Sequence, residues 1–187
     1  MNTTDMTLMN VWQAHTQQRL FRRLLEAFSY PGRLLDATDS GTTARLAILA
    51  TLLDGEVNLA DPHGLITPED RRRLMASAAA PEQARFVVAD AARVPNFTPA
   101  LGSLESPEFG ATLLLEVEQL GAGSPLLLTG PGIASQKQLA VHGLHPDWIA
   151  RRADWVSAYP LGVDIILCDA KHFAALPRTT QITQEAL

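Results

Sequence analysis

The stretch from Gly110 to Ile133, GATLLLEVEQLGAGSPLLLTGPGI, constrains this chain more than any other. Thr112 to Val117 is a run of apolar and branched residues, the pattern of a buried strand. Leu120-Gly121-Ala122-Gly123-Ser124 reads as a turn, and Pro125 to Thr129 as a returning strand. So short a link permits only an antiparallel return, which predicts a β-hairpin. Leu126, Leu127 and Leu128 in succession predict burial on both faces of a sheet. Thr129-Gly130-Pro131-Gly132 then forms a corner.

The flanking segments supply helices and short strands to pack on such a hairpin. Leu20, Phe21, Leu24, Leu25 and Phe28 recur at three- and four-residue steps, so a helix is expected over Val11–Phe28 with these residues inward. Ser29-Tyr30-Pro31-Gly32 stops it. A second helix, Ala44 to Leu53, is apolar nearly all round and is capped by Thr42 or Thr43. Thr67-Pro68-Glu69-Asp70 opens a third, running to about Ala79. Pro146-Asp147 opens a fourth, with Trp148, Ile149, Trp155 and Val156 inward. Strands are expected at Arg33–Ala37, Val57–Ala60, Arg85–Ala89, Val163–Cys168 and Phe173–Leu176. Val94 to Phe109, with three prolines, reads as a long loop. The expected fold class is α/β: a mixed parallel and antiparallel sheet of about seven short strands, flanked by helices, in one domain over residues 1–187 with 1–10 flexible.

Composition limits the function. Fifteen basic against twenty acidic residues give a net charge of −5, which disfavours a nucleic-acid binder. No apolar run approaches the roughly 20 residues of a membrane helix. With one cysteine, Cys168, no internal disulfide is possible. No charged-then-apolar leader follows Met1, and a cytoplasmic protein is expected.

Few residues carry chemistry on their own pattern. Glycines in Thr129-Gly130-Pro131-Gly132 allow a ligand close to the backbone, but Pro131 removes a donor and the Lys of a nucleotide loop is missing. A structural corner is the reading that pattern favours. Arg178, Thr179 and Thr180 follow a strand end and offer a guanidinium and two hydroxyls, a set suited to a phosphate or phosphonate; an ordinary strand exit is the alternative. Asp164 sits among apolar strand residues and needs a partner, with structural pairing to an Arg favoured over a functional role. Arg71, Arg72 and Arg73 read as a solvated helix face. His142 and His145 lack a third ligand, so no metal site is expected. Cys168 reads as an inert core residue, and Lys171 as a cationic turn residue rather than a Schiff-base lysine. Trp12, Trp148 and Tyr159 are either core packing or anchors of an interface.

Five segments taken together resemble a known family: FRRLLEAFSYPG (Phe21 to Gly32), GATLLLEV (Gly110 to Val117), LTGPGI (Leu128 to Ile133), PLGVDIIL (Pro160 to Leu167) and ALPRTT (Ala175 to Thr180). Their order and spacing resemble PhnH, the H subunit of the bacterial carbon–phosphorus lyase system; Ala60 to Phe109 matches least. The resemblance implies a subunit of a multisubunit complex for phosphonate catabolism. With the PhnG, PhnI and PhnL partners, that subunit is assigned to joining a phosphonate to the ribose of ATP with loss of adenine. The product is an α-D-ribose 1-phosphonate 5-triphosphate. The resemblance also implies a fold similar to pyridoxal-phosphate-dependent transferases without the cofactor, and no iron–sulfur cluster in this chain. It implies a homodimer when isolated, and association with PhnG, PhnI and PhnJ in the core complex. A non-catalytic or accessory role is expected, with an anionic-metabolite or nucleotide-binding domain as the alternative. Gly130, Gly132, Asp164, Arg178, Thr179 and Thr180 fall in the shared segments and are the candidates for a pocket or a partner interface.

Overall fold

Strand β5 (Thr112–Glu116) carries Leu113, Leu114 and Leu115, all buried, so it needs cover on both faces as well as on both edges. It has that cover at the centre of a seven-stranded sheet of order β1-β9-β8-β5-β4-β2-β3. The structure is a computed structural model and describes residues 10–184; the flexible segment expected at 1–10 lies, but for Asn10, outside the described residues. The other strands of this sheet are β1 (Leu35–Asp36), β2 (Asn58–Ala60), β3 (Ser77–Ala78), β4 (Phe86–Asp90), β8 (Asp164–Cys168) and β9 (His172–Leu176). Strands β3, β2, β4, β5 and β8 run parallel, while β9 and β1 add antiparallel pairs at one edge. The mixed α/β class expected from the sequence is therefore what forms.

A second sheet has three strands in the order β10-β6-β7, all antiparallel. They are β6 (Gln119–Thr129), β7 (Lys137–His142) and β10 (Gln181–Gln184). The expected hairpin of β5 with the next strand is corrected here. β5 and β6 lie in different sheets, and Val117-Glu118 carries the chain between them. Leu120 to Ser124 does not turn back: it is part of β6, which meets β7 across a register shift between Leu120 and Ser124. Gly121 and Gly123, at φ +84° and +93°, absorb that irregularity. The expected two-sided burial of Leu126 to Leu128 is corrected as well, because Leu126 and Leu128 are buried and Leu127 only half so. That alternation belongs to a sheet packed on one face.

Two cores sandwich the large sheet. On one face Val88, Leu114, Ile166 and Ala175 meet helix α1 (Ala14–Ser29), α2 (Ala44–Leu52) and α3 (Pro68–Leu74). On the other, Val87, Leu113, Leu115, Ile165 and Leu176 meet the small sheet and α4 (Asp147–Trp155). Successive residues of β4, β5 and β8 alternate between these cores, as strand geometry requires. Trp148 of α4 packs edge-on to Phe97 and Trp155 with ring centroids 5.9 and 6.4 Å away, and its Nε1 donates to the Arg93 carbonyl at 2.8 Å. It is fully buried and forms no surface anchor.

Local signals hold where they are chemical. Thr43 and Thr67 accept from the Leu46 and Asp70 amides and cap α2 and α3. They slip where periodicity stands alone. α3 stops at Leu74, and Ser77–Ala78 is an edge strand rather than helix. On α1, Leu20, Leu24 and Ala27 are buried, but Phe21 and Leu25 are 47% and 53% exposed. The helix is narrower in contact than its apolar stripe.

Candidate functional site

The five segments that carry the resemblance meet in space. Gly32 after α1 donates its amide to the Ala175 carbonyl of β9 at 3.2 Å. A Cβ on Gly32 would collide with Leu128 of β6. Gly132 (φ +81°) rests against the Ser29 carbonyl at the end of α1, and a Cβ would strike it. Gly130 (φ +128°) passes the Thr179 carbonyl, 2.9 Å from where its Cβ would stand. At both corner positions glycine is required by close backbone approach and by left-handed conformation. The corner thus touches α1 on one side and the Thr179-Thr180 segment on the other.

Arg178 ties the remaining segments together. Its amide donates to Asp164 Oδ1 at 2.8 Å, and its Nη2 to Asp164 Oδ2 at 2.8 Å. Nη1 donates to the carbonyls of Pro107 (2.9 Å) and Pro160 (3.0 Å). Gly110 clears the space, since a Cβ there would lie 3.1 Å from Nη2 and clash with the Gly162 carbonyl. The Arg178 and Asp164 side chains are 15% and 23% exposed. Asp164 therefore has the Arg partner that its apolar strand demanded, and the charge of Arg178 is balanced locally.

Beside this pair lies a cavity of about 450 Å³ between α4 and the segment that joins β9 to β10. Pro131, Arg152, Tyr159, Arg178, Thr179 and Thr180 are among the residues that line it. Arg152 is its unusual member. It sits on the inward face of α4, between buried Trp148 and Trp155, and is only 3% exposed. Its Nη2 donates to the carbonyls of Pro177 (2.6 Å) and Thr180 (2.9 Å). Among the described residues no carboxylate lies within ion-pair distance of it, and its Nε has no acceptor. The buried Thr180 hydroxyl likewise has no partner. Burial lowers the pKa of Arg152 to about 10, against a smaller opposing pull from Asp164, so it remains a cation at neutral pH. Arg152 escaped the sequence reading. Its signal was there: an Arg four residues after Trp148 and three before Trp155 falls on the apolar face of its helix.

A second cavity, about 310 Å³, lies on the far side of the corner and is lined by Tyr30, Arg33, Gly132, Ser135 and Lys137, among others. Arg33 pairs with Glu26 at 2.7 Å and stacks over Tyr30 at 5.5 Å. Pro131 thus borders one cavity and Gly132 the other.

The remaining candidates are dispersed. His142 ends β7 and faces Glu118 at 3.0 Å, whereas the His145 ring accepts from the Asp147 amide at 3.2 Å. Among the described residues no three His, Cys, Asp or Glu side chains are grouped to hold a metal ion. Cys168 is sealed in the sheet, where burial pushes its thiol pKa far up. Lys171 lies in the exposed turn between β8 and β9. On α3, Arg71 reaches Asp61 (3.3 Å) and Arg73 reaches Glu69 (2.8 Å). Among the described residues no helix is long and apolar enough to cross a membrane.

Comparison with known proteins agrees with this grouping. Residues 10–183 match the family model described as bacterial phosphonate metabolism protein (PhnH). HtxG of Stutzerimonas stutzeri, described as a provisional C-P lyase subunit protein, is 47% identical over 172 residues, 92% of this chain and 88% of its own. The alpha-D-ribose 1-methylphosphonate 5-triphosphate synthase subunit PhnH of Rhizobium meliloti is 41% identical over 100 residues, about half of each chain. The chain belongs to the PhnH family.

Proposed function

From that membership we propose that the chain is a subunit of a carbon–phosphorus lyase system. It contributes, as a non-catalytic or accessory member, to forming α-D-ribose 1-methylphosphonate 5-triphosphate from ATP and a phosphonate. The observation that carries this reading is the family match along residues 10–183, supported by a relative named for that synthase. The accessory role rests on chemistry. Transfer to ribose C1 needs a group that can give a proton to the departing adenine. Asp164, the carboxylate beside the cavity, is already held by Arg178, whose remaining donors serve the backbone, so it is not free for that step.

The reading extends to partners. A homodimer in isolation and contacts with PhnG, PhnI and PhnJ in a cytoplasmic core complex, with PhnL acting alongside, are part of it. So is a pyridoxal-phosphate-dependent transferase-like fold that works without pyridoxal phosphate or an iron–sulfur cluster; the exposed Lys171 turn supports this. Phe21 and Leu25, one turn apart on α1 and about half exposed, suit a partner contact better than a solvent face. Co-expression with the other subunits tests the proposal. The chain should co-purify with them, and its deletion should abolish growth on methylphosphonate as sole phosphorus source. Turnover of ATP and methylphosphonate by the purified chain alone contradicts the accessory role.

A further inference from the structure

The cavity beside α4 has a charge that nothing on its walls balances. Arg152 and Arg178 both border it, and Asp164 pairs with Arg178 while acting on Arg152 only from beyond ion-pair distance. Asp164 is held by Arg178 through the side chain and the amide. One positive charge is left over, on Arg152, a residue 3% exposed whose guanidinium makes its only two hydrogen bonds among the described residues through Nη2. A buried cation without a counterion is costly, and proteins keep one where a ligand supplies the charge. The hydroxyl of Thr180, buried and unpartnered, is a second polar group at the same wall. Thr179 adds another hydroxyl, and Tyr159, 70% exposed, stands at the rim. Ile149, Ala153 and Val156 make the rest of the α4 side apolar.

We infer that this cavity binds a small organophosphonate, with Arg152 as its cation, the Thr179 and Thr180 hydroxyls as further donors, and the apolar α4 wall against the carbon substituent. Guanidinium geometry suits a tetrahedral oxyanion. The charge count selects a ligand with one or two negative charges. A nucleoside triphosphate would bring about four charges and its Mg²⁺ to a site with one unpaired cation, beside a carboxylate, Asp164, that Arg178 already holds. The choice of phosphonate among tetrahedral oxyanions rests on the subunit reading above; the cavity, its charge and its apolar wall do not.

Calorimetric titration of the full-length chain with methylphosphonate, inorganic phosphate and ATP tests this. Saturable binding of methylphosphonate is expected, tighter than of inorganic phosphate or ATP. Arg152→Met should weaken it about tenfold or more, the loss expected for a charge-assisted pair. Arg33→Ala, at the second cavity, should leave it unchanged. No saturable binding, or equal affinity in Arg152→Met, overturns the site. Equal affinity for inorganic phosphate removes the organophosphonate assignment, and tighter ATP binding lost in Arg33→Ala moves the ligand to the other cavity. Should Arg152→Met fail to fold, the wild-type ¹H–¹⁵N spectrum decides: the Arg152 Nε–H and Thr180 resonances shift on adding methylphosphonate, or the site is wrong. Failed titration with intact co-purification removes this site and leaves the subunit reading; the reverse result removes the subunit reading alone.

Discussion

Arg178 and Arg152 border the same cavity under opposite conditions. Arg178 faces a carboxylate, engages two carbonyls, and has a glycine cleared to make room for it. Arg152 is more deeply buried, has no carboxylate within ion-pair distance among the described residues, and leaves Nε without an acceptor. The first arrangement explains itself as structure. It fastens the loop before β5, the start of β8 and the exit of β9 to one another. The second does not, because two carbonyl contacts do not require a charge. Two arginines 26 positions apart in sequence thus separate the holding of the fold from the recognition of something outside it.

That separation can be broken by substitution. Arg178→Ala strands Asp164 among apolar neighbours and frees two carbonyls, so the loss in urea unfolding should be about 3 kcal/mol or more. A loss below ~1 kcal/mol would show that the pair is not structural. Gly132→Ala forces a Cβ against the Ser29 carbonyl at φ +81°. Its expected cost is about 2 kcal/mol, read from the same denaturation curves. A neutral result would reopen the corner as a mobile ligand loop.

Asp169 sharpens the contrast from the opposite sign. It is a buried carboxylate satisfied mainly by amides: Leu120, Lys171 and His172 donate to it at 3.0, 2.7 and 2.7 Å. Burial alone would raise its pKa, but these bonds outweigh it and hold the pKa below the ordinary 3.8. The folded chain therefore binds that proton less readily than the unfolded one. The stabilisation is complete above the ordinary Asp range and is lost as pH falls through the folded value. Asp169→Asn should destabilise by about 1–2 kcal/mol at pH 7, with the gap to wild type closing as the pH is taken below 3.8. A gap independent of pH would mean that shape, not charge, is what the turn uses. The smallest stability effect is expected for Arg152→Met. Loss of two carbonyl contacts is offset by relief of a buried charge, for a net change within about 1 kcal/mol. A change as large as that of Arg178→Ala would make both arginines structural and erase the distinction.

The sequence carried the local chemistry well and the long-range pairing poorly. Thr67 and the pair Thr42-Thr43, of which Thr43 is the cap, announced their helices because a cap is decided within four residues. Leu113 to Leu115 announced a buried central strand for the same reason. The partner of β5 could not be read, because Gly121 and Gly123 permit both a reversal and a bulged extension, and only the buried faces of the whole molecule choose between them. β7 and β10, KQLAVH and QITQ, present half-polar patterns too weak to be seen without the sheet that they complete. At the site, Asp164 declared its need for a cation, and the shared segments pointed to Arg178, Gly130 and Gly132. Arg152 stayed hidden because an Arg in a helix is ordinarily solvated; it stands out only once Trp148 and Trp155 are seen to enclose it.

The most direct test is a crystal structure of the full-length chain soaked with methylphosphonate. Electron density for the phosphonate within hydrogen-bond distance of the Arg152 guanidinium, with the Arg178–Asp164 pair undisturbed, is the predicted result. Density on Arg33 and Lys137, or a phosphonate that draws Arg178 away from Asp164 while Arg152 stays unengaged, would contradict it.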